Sequence, residues 1–292
     1  MHKFLRSIGF GKFQKKRDIE VLLKNLEKIA VRQSLTSEAD TTLCELRAEV
    51  APGMGIVMAG EMGEQGTFRR EYYYPYLSGT DISSEADCNI QRHAEKETYA
   101  GLLDEYRVGI SLIFYLDNGF EYREREASRA PRKVESVNLS GLAGEGKILL
   151  PLYKTRKQIE MARVAARDRC SLLEAAKNGD EDAMETLTIE DIDLYSQISR
   201  RAMKEDIYSI VDSCFMPCGI ECDQYSVIGE IVEIEEKKNM VSGELVYDLT
   251  LKCSDMIFHV AIAENDLLGE PKIGRRFKGQ IWMQGVAKFA EG

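Results

Sequence analysis

The segment Gly141 to Lys147, GLAGEGK, presents the G-x-x-x-x-G-K half of a phosphate-binding loop. That chemistry needs a Ser or Thr after the lysine to hold magnesium, and a helix whose first amides cradle the phosphates. Ile148, Leu149 and Leu150 follow instead, and Pro151 breaks the run. The segment is therefore expected to be a hairpin turn without nucleotide chemistry. Cys214, Cys218 and Cys222 are spaced C-x-x-x-C-x-x-x-C, which invites an iron–sulfur or zinc reading. No matched second pair lies nearby, and Pro217 and Gly219 deny the thiols a common helical face, so buried or half-buried thiols without metal are expected.

Any nucleophile–histidine site must draw on His2, His93 or His259. Only His93 has polar neighbours, Asp87, Cys88, Glu95 and Glu97, and a Cys88–His93–Glu97 site for a metal or a nucleophile is one reading. A solvated loop or helix start is the simpler one. His259, between Phe258 and Val260, reads as a packed cross-strand residue. The acids Asp180, Glu181, Asp182, Glu185, Glu190, Asp191 and Asp193 lack calcium-loop spacing and fit a solvated helical face. Tyr72, Tyr74 and Tyr76 read as a packed sheet face ahead of a recognition surface. Near the C-terminus, Arg275, Arg276 and Lys278 accompany Phe277 and Trp282, as in single-strand nucleic-acid platforms. Residues 217–292 carry 8 basic and 13 acidic side chains, so an intramolecular or protein-interface role is expected instead, with Arg275, Arg276 and Lys278 as the candidate interaction surface. Trp282 is expected to be buried, with Arg275 and Arg276 outside the core.

The elements that must position these groups follow from patterning. The chain has 292 residues, 44% apolar and 30% charged, which suits a globular protein of two or three domains. Its net charge of −10 opposes wrapping of nucleic acid or docking on an anionic membrane. Seven cysteines, an odd number, fit a reducing cytoplasm better than a disulfide framework. The most apolar run, Val108 to Leu116, is about half of what a membrane span needs.

Phe4, Leu5 and Ile8 predict a short helix, and Leu22, Leu23, Leu26, Ile29 and Ala30 a second one capped by Asp18. Cys44, Leu46, Ala48 and Val50 alternate with Glu45, Arg47 and Glu49 as in a half-buried strand. Phe68 to Tyr76 predicts a strand with Phe68, Arg70, Tyr72, Tyr74 and Tyr76 on one face. Val108 to Arg123, around Asp117-Asn118-Gly119, predicts a hairpin. Thr155 to Lys177 predicts a helix, Thr188-Ile189-Glu190-Asp191 a start signal for another, and Asp206 to Cys214 a third. Four strand-like runs after Gln224 suggest a small barrel. The expected fold is α+β: an N-terminal antiparallel sheet with helices over residues 1–150, a helical connector over 151–216, and a small OB-like or SH3-like β-barrel over 217–292.

The strings HKFLRSIGF ending at Phe10, LIFYLDN from Leu112 to Asn118, ETLTIEDIDLYSQISRR from Glu185 to Arg201 and GEPKIGRRFKGQIWMQG from Gly269 to Gly285 are long and idiosyncratic. On them the chain resembles an uncharacterised clostridial family of about this length, classed only as a domain of unknown function. The resemblance implies a cytoplasmic protein of an anaerobic bacterium and assigns no activity, site residue or cofactor. With no catalytic residue and no cofactor fingerprint assembled from motifs, the leading expectation is a non-enzymatic binding, adaptor or regulatory factor with a protein partner. The alternatives are an enzyme acting on a small or phosphorylated substrate between the sheet and the helical block, and a single-strand nucleic-acid binder using the barrel.

Overall fold

The computed structural model describes residues 2–36, 42–63, 66–92 and 98–291. Lys3–Ile8 forms a 3-10 turn that buries Phe4, Leu5 and Ile8 and ends at Gly9, whose φ of +86° suits glycine. Helix α1, Lys16–Leu26, starts after Lys15, ahead of the expected cap Asp18, which lies instead in the first turn, where its charge suits the helix dipole. The helix stops before Ile29, which is exposed.

Strands β1 (Val31–Thr36), β2 (Thr42–Ala51), β3 (Met54–Met62) and β4 (Phe68–Leu77) form a small antiparallel sheet in that order. Alternation in β2 buries Cys44, Leu46, Ala48 and Val50 on one face, leaving Glu45, Arg47 and Glu49 on the other. Pairing extends that second face into three rows: Glu45–Ala59–Tyr72, Arg47–Val57–Tyr74 and Glu49–Gly55–Tyr76. The rows begin at a bulge. Ala59 faces Tyr72 while Gly60 faces Arg70, so Glu71 is the extra residue and Arg70 turns away from the tyrosines. Strict alternation grouped Arg70 with them; it pairs instead with Glu20 at 2.5 Å and with Glu27, both of the α1 segment.

The large sheet contains β5 (Cys88–Arg92), β6 (Tyr99–Glu105), β7 (Ile110–Leu116), β8 (Val134–Leu149), β9 (Cys214–Pro217), β10 (Gln224–Lys238), β11 (Leu245–Cys253), β12 (Met256–Ala263), β13 (Leu267–Leu268) and β14 (Arg276–Phe289). Strand β8 pairs in parallel with β12 and antiparallel with β14, so the pairings run β8–β12–β11–β10–β14 and return to β8. Residues from both sides of the helical segment thus share one sheet. The Gly141–Lys147 motif lies inside β8, correcting the expected turn. Its glycines make room across the strands: a Cβ on Gly146 would stand 2.4 Å from Phe277 Cε2, and one on Gly141 2.8 Å from Ile281 Cδ1.

The expected hairpin after β7 is also absent, because Gly119–Ala127 is helix α2. Asn118 has φ −95°, outside the tight-turn region, and its side-chain amide bonds to both backbone groups of Ala287 on β14, at 2.8 and 3.0 Å. The side chain acts as a strand neighbour and leaves the chain free to start a helix.

Helices α3 (Arg156–Lys177), α4 (Glu181–Ala202) and α5 (Ile207–Ile210) occupy the segment between β8 and β9. A Thr155–Gln158 capping box opens α3, and Asp180 caps α4 after Gly179 at φ +92°. Thr188 starts no helix. It lies within α4 and its hydroxyl donates back to the Met184 carbonyl at 2.8 Å. The third helical run is one turn, Ile207–Ile210, before β9 begins at Cys214.

Two cores result. One, inside the large sheet, holds Leu139, Phe258, Phe277, Ile281 and Met283; the other holds α1, the small sheet, Leu142, Ala261 and Trp282. Successive residues of β14 therefore enter different cores, which explains apolar residues on both its faces. Trp282, 5% exposed, donates to Asp223 at 2.7 Å and stacks on Phe4 with ring centroids 5.7 Å apart. Its cover is the N-terminal turn and the small sheet. Trp282→Ala should cost about 3–5 kcal/mol in denaturant melts, while Arg275→Ala, whose Nη1 donates to the Glu270 carbonyl, should change stability by no more than about 1 kcal/mol.

Candidate functional site

Where the Glu45 row of the small sheet approaches β7 and the start of α2, a small, partly open cleft of about 40 Å³ forms. Glu45, Tyr72, Tyr74, Tyr99, Tyr115 and Phe120 line it, with Glu71 exposed and Arg123 half-buried alongside. Local rules place each group. Alternation in β2 turns Glu45 inward, the bulge at Glu71 turns Tyr72 and Tyr74 the same way, and Tyr115 alternates with buried Phe114 and Leu116 in β7. The link between Asn118 and β14 sets where α2 begins and brings Phe120 to the cleft.

Beneath the cleft lies an ion pair. Arg47 Nη1 and Nη2 reach the two Asp117 carboxylate oxygens at 3.0 and 2.9 Å, and Nη2 also reaches the Asp117 carbonyl at 3.3 Å. The guanidinium covers the Tyr76 ring at 4.3 Å. Burial works against the Arg47 charge, but Asp117, Tyr74 and Glu45 outweigh it and hold its pKa above the ordinary value. Both Asp117 oxygens being engaged, Glu45 receives only the Arg47 Nε at 3.9 Å. Burial pushes the Glu45 carboxyl up to about 7; Arg47 pulls it down and Asp117 pushes it further up. Burial likewise raises Tyr74 and Tyr115, which stay neutral phenols. Two carboxylates thus share one guanidinium. When both are ionised, one negative charge is left without a full partner in a tyrosine-lined cleft.

The residues singled out from sequence are scattered. Arg276 is 4% exposed and donates to the carbonyls of Leu150, Val211 and Tyr208 at 2.6–3.0 Å, pinning the helical segment to β14. It is buried, a correction to its expected place outside the core. Lys278 meets the Tyr208 hydroxyl and ring, and Arg275 lies half-buried near Glu270. Trp282 has its ring covered, so the aromatic face of a single-strand platform is not presented there. Cys214 lies in β9, Cys218 is half-buried and Cys222 exposed. No group of three or more His, Cys, Asp or Glu side chains suited to a metal ion occurs among the described residues. His93 and Glu97 lie outside the described residues; Cys88 is a buried thiol whose pKa burial pushes up to about 12.

Sequence reasoning passed over Glu45, Arg47 and Asp117. It treated the first two as the polar side of a strand and the third as a turn residue, because their meeting depends on two sheets that only packing brings together. It also saw His259 as packed but not its partners. His259 Nδ1 lies 3.0 Å from Asp248, Nε2 lies 2.9 Å from Asp81, and Asp248 accepts from Lys237 at 2.8 Å. Burial lowers the imidazole pKa, yet its bonds to Asp248 and Asp81 outweigh that and raise it. Lys237, Asp248, His259 and Asp81 form a chain of alternating charge that clips the loop after β4 onto β11 and β12.

The fold and cleft define an α+β protein with a tyrosine-lined cleft between its two sheets, bordered by Glu45, Glu71 and Arg123. The chain belongs to the family described as Domain of unknown function, E. rectale Gene description (DUF3881), which matches residues 5–285. Nothing among curated proteins or solved structures matches it. Among the described residues, no helix is long and apolar enough to cross a membrane.

The charge arrangement has a thermodynamic consequence. Unfolded, Glu45 ionises near its ordinary 4.5, and folded it ionises at about 7. Between those values the native state holds the extra proton, so stability falls as pH rises through the window and the loss is complete above it. Glu45→Gln removes this dependence. The stability of the variant relative to wild type should rise by about 3 kcal/mol between roughly pH 4 and pH 8 in denaturant melts; a difference that does not change with pH contradicts the assignment.

Proposed function

We propose that this protein is a non-enzymatic binding factor that takes a small ligand bearing a cationic amino group into the cleft between its sheets. The observation that carries this reading is the under-compensated carboxylate: Asp117 holds Arg47 through two hydrogen bonds, and Glu45, beside the rings of Tyr72, Tyr74 and Tyr115, meets that guanidinium through Nε at 3.9 Å. An alkylammonium group there gains both the carboxylate and the electron-rich ring faces. Binding would ionise Glu45 and release its proton. We read the surrounding ring of strands β8, β12, β11, β10 and β14 as a small OB-like barrel, supported by the return of its pairings to β8. Residues 1–150 and 217–292 then act as one cytoplasmic body, with 151–216 as an attached helical unit.

One observation favours a second reading. A carboxyl with a pKa of about 7 is suited to general-base catalysis at neutral pH, so an enzyme acting on a small substrate is the alternative. In that case the site lies between the sheets and not beside the helical block, and Glu45 and Glu71 disfavour a phosphorylated substrate. Calorimetry with butylammonium, neutral butanol and butyrate separates ligand classes. Butylammonium alone should bind, releasing about half a proton at pH 7 as judged from buffers of different ionisation enthalpy, and Glu45→Gln should weaken it at least about 10-fold. Preference for butyrate, or equal binding by butanol, would overturn the proposal.

A further inference from the structure

Helices α3 and α4 expose large apolar side chains along much of their length. Met161 and Val164 on α3 are 62% and 50% exposed, and Met184, Ile189, Ile192 and Tyr195 on α4 are 43%, 55%, 59% and 74% exposed. No residue of α3 is buried, and only Ala183 and Leu187 are buried in α4. At 100° per residue, Met184, Ile192 and Tyr195 form a stripe beside the one holding Ala183 and Leu187, so α4 is apolar on two adjoining faces. A helix of that kind needs two neighbours, and α3 supplies one. The pair is not loose: Lys177 meets Asp104 at its tip, while Lys154 meets Asp212 and Arg276 holds the carbonyls of Leu150, Tyr208 and Val211 at its base.

The charges of the two helices indicate what the other neighbour is. Helix α3 has six basic and three acidic residues, a net charge of +3, whereas α4 has six acidic and two basic residues, a net charge of −4. Arg169 already bonds Asp191 at 2.7 Å within the pair. Laying a second copy of the pair on the first, about a twofold axis parallel to the helices, sets each α3 antiparallel to the α4 of the other copy. Every edge of the resulting bundle then joins a basic to an acidic helix. An axis across the helices would instead set α4 against α4, acid against acid. Helices of 22 residues are about 33 Å long. At a spacing of about 10 Å, one two-helix face covers roughly 650 Å² per copy, about 1,300 Å² in total, within the range of stable interfaces.

We propose that the exposed face of α3 and α4 is a self-association surface whose partner is a second copy of this chain, the two pairs forming a four-helix bundle. The full-length protein should sediment as a dimer at concentrations from about 1 to 100 µM, and the dimer should weaken as salt rises. The double substitution Ile192→Asp with Tyr195→Asp should weaken association at least about 100-fold while leaving the main unfolding transition in place. Should the aspartates unfold the helices, as circular dichroism would reveal, Met184→Ser with Tyr195→Ser provides a milder test in the same direction. A wild-type monomer at 100 µM overturns the proposal, as does a dimer that persists unchanged in folded variants of both kinds.

Discussion

The Arg47–Asp117 pair is the constraint from which the cleft follows. Its two side chains are 70 residues apart in sequence, Arg47 on the small sheet and Asp117 in the turn after β7, and both carboxylate oxygens meet guanidinium nitrogens. Asp117 is buried and Arg47 half-buried, and a buried carboxylate is tolerated when it is paired in this way. The pair fixes how the tyrosine rows of the small sheet lie against β7, and hence where Tyr74 and Tyr115 meet Trp282. It also uses up the charge that Glu45 would otherwise share, so one contact sets both the geometry and the electrostatics of the cleft.

Around that contact the two sheets are joined by polar groups aimed at backbone. Gln284, fully buried, donates to the Pro75 carbonyl at 2.8 Å and accepts from the Leu77 amide at 3.3 Å; Ser140 donates to the Leu77 carbonyl at 2.6 Å. Asn138 reaches the carbonyls of Gly79 and Thr80, and the His259 chain of charges holds Asp81. The end of β4 and the loop after it thus find in the large sheet the partners that a neighbouring strand would have supplied. Such bonds are directional, which apolar contact is not, and they give the packing of the sheets a single register.

What could be read from the sequence was what neighbouring residues decide. Alternation in β2, the helix from Thr155 and the strands after Gln224 follow from local periodicity and capping, and the α+β character follows from them. The errors have one physical form. Gly141 to Lys147 looks like a turn until Phe277 and Ile281 are seen to need the space its glycines leave. Asn118-Gly119 looks like a hairpin until the asparagine amide is seen to bond β14. Arg276 looks like a surface cation until three carbonyls of the helical segment converge on it. In each case the deciding partner lies more than 60 residues away. The cleft was hidden for the same reason, since Glu45, Tyr72 and Tyr115 belong to three strands in two sheets.

The sharing of one guanidinium by two carboxylates is tested most directly by the carbon-13 NMR titration of the Glu45 carboxyl in wild type and in Asp117→Asn. If Asp117 holds Arg47 away from Glu45, the wild-type midpoint lies at about 7 and falls toward the ordinary carboxylate range once the asparagine frees the guanidinium. A wild-type midpoint near 4.5, or one that stays at 7 in a folded Asp117→Asn protein, would contradict that account of the cleft.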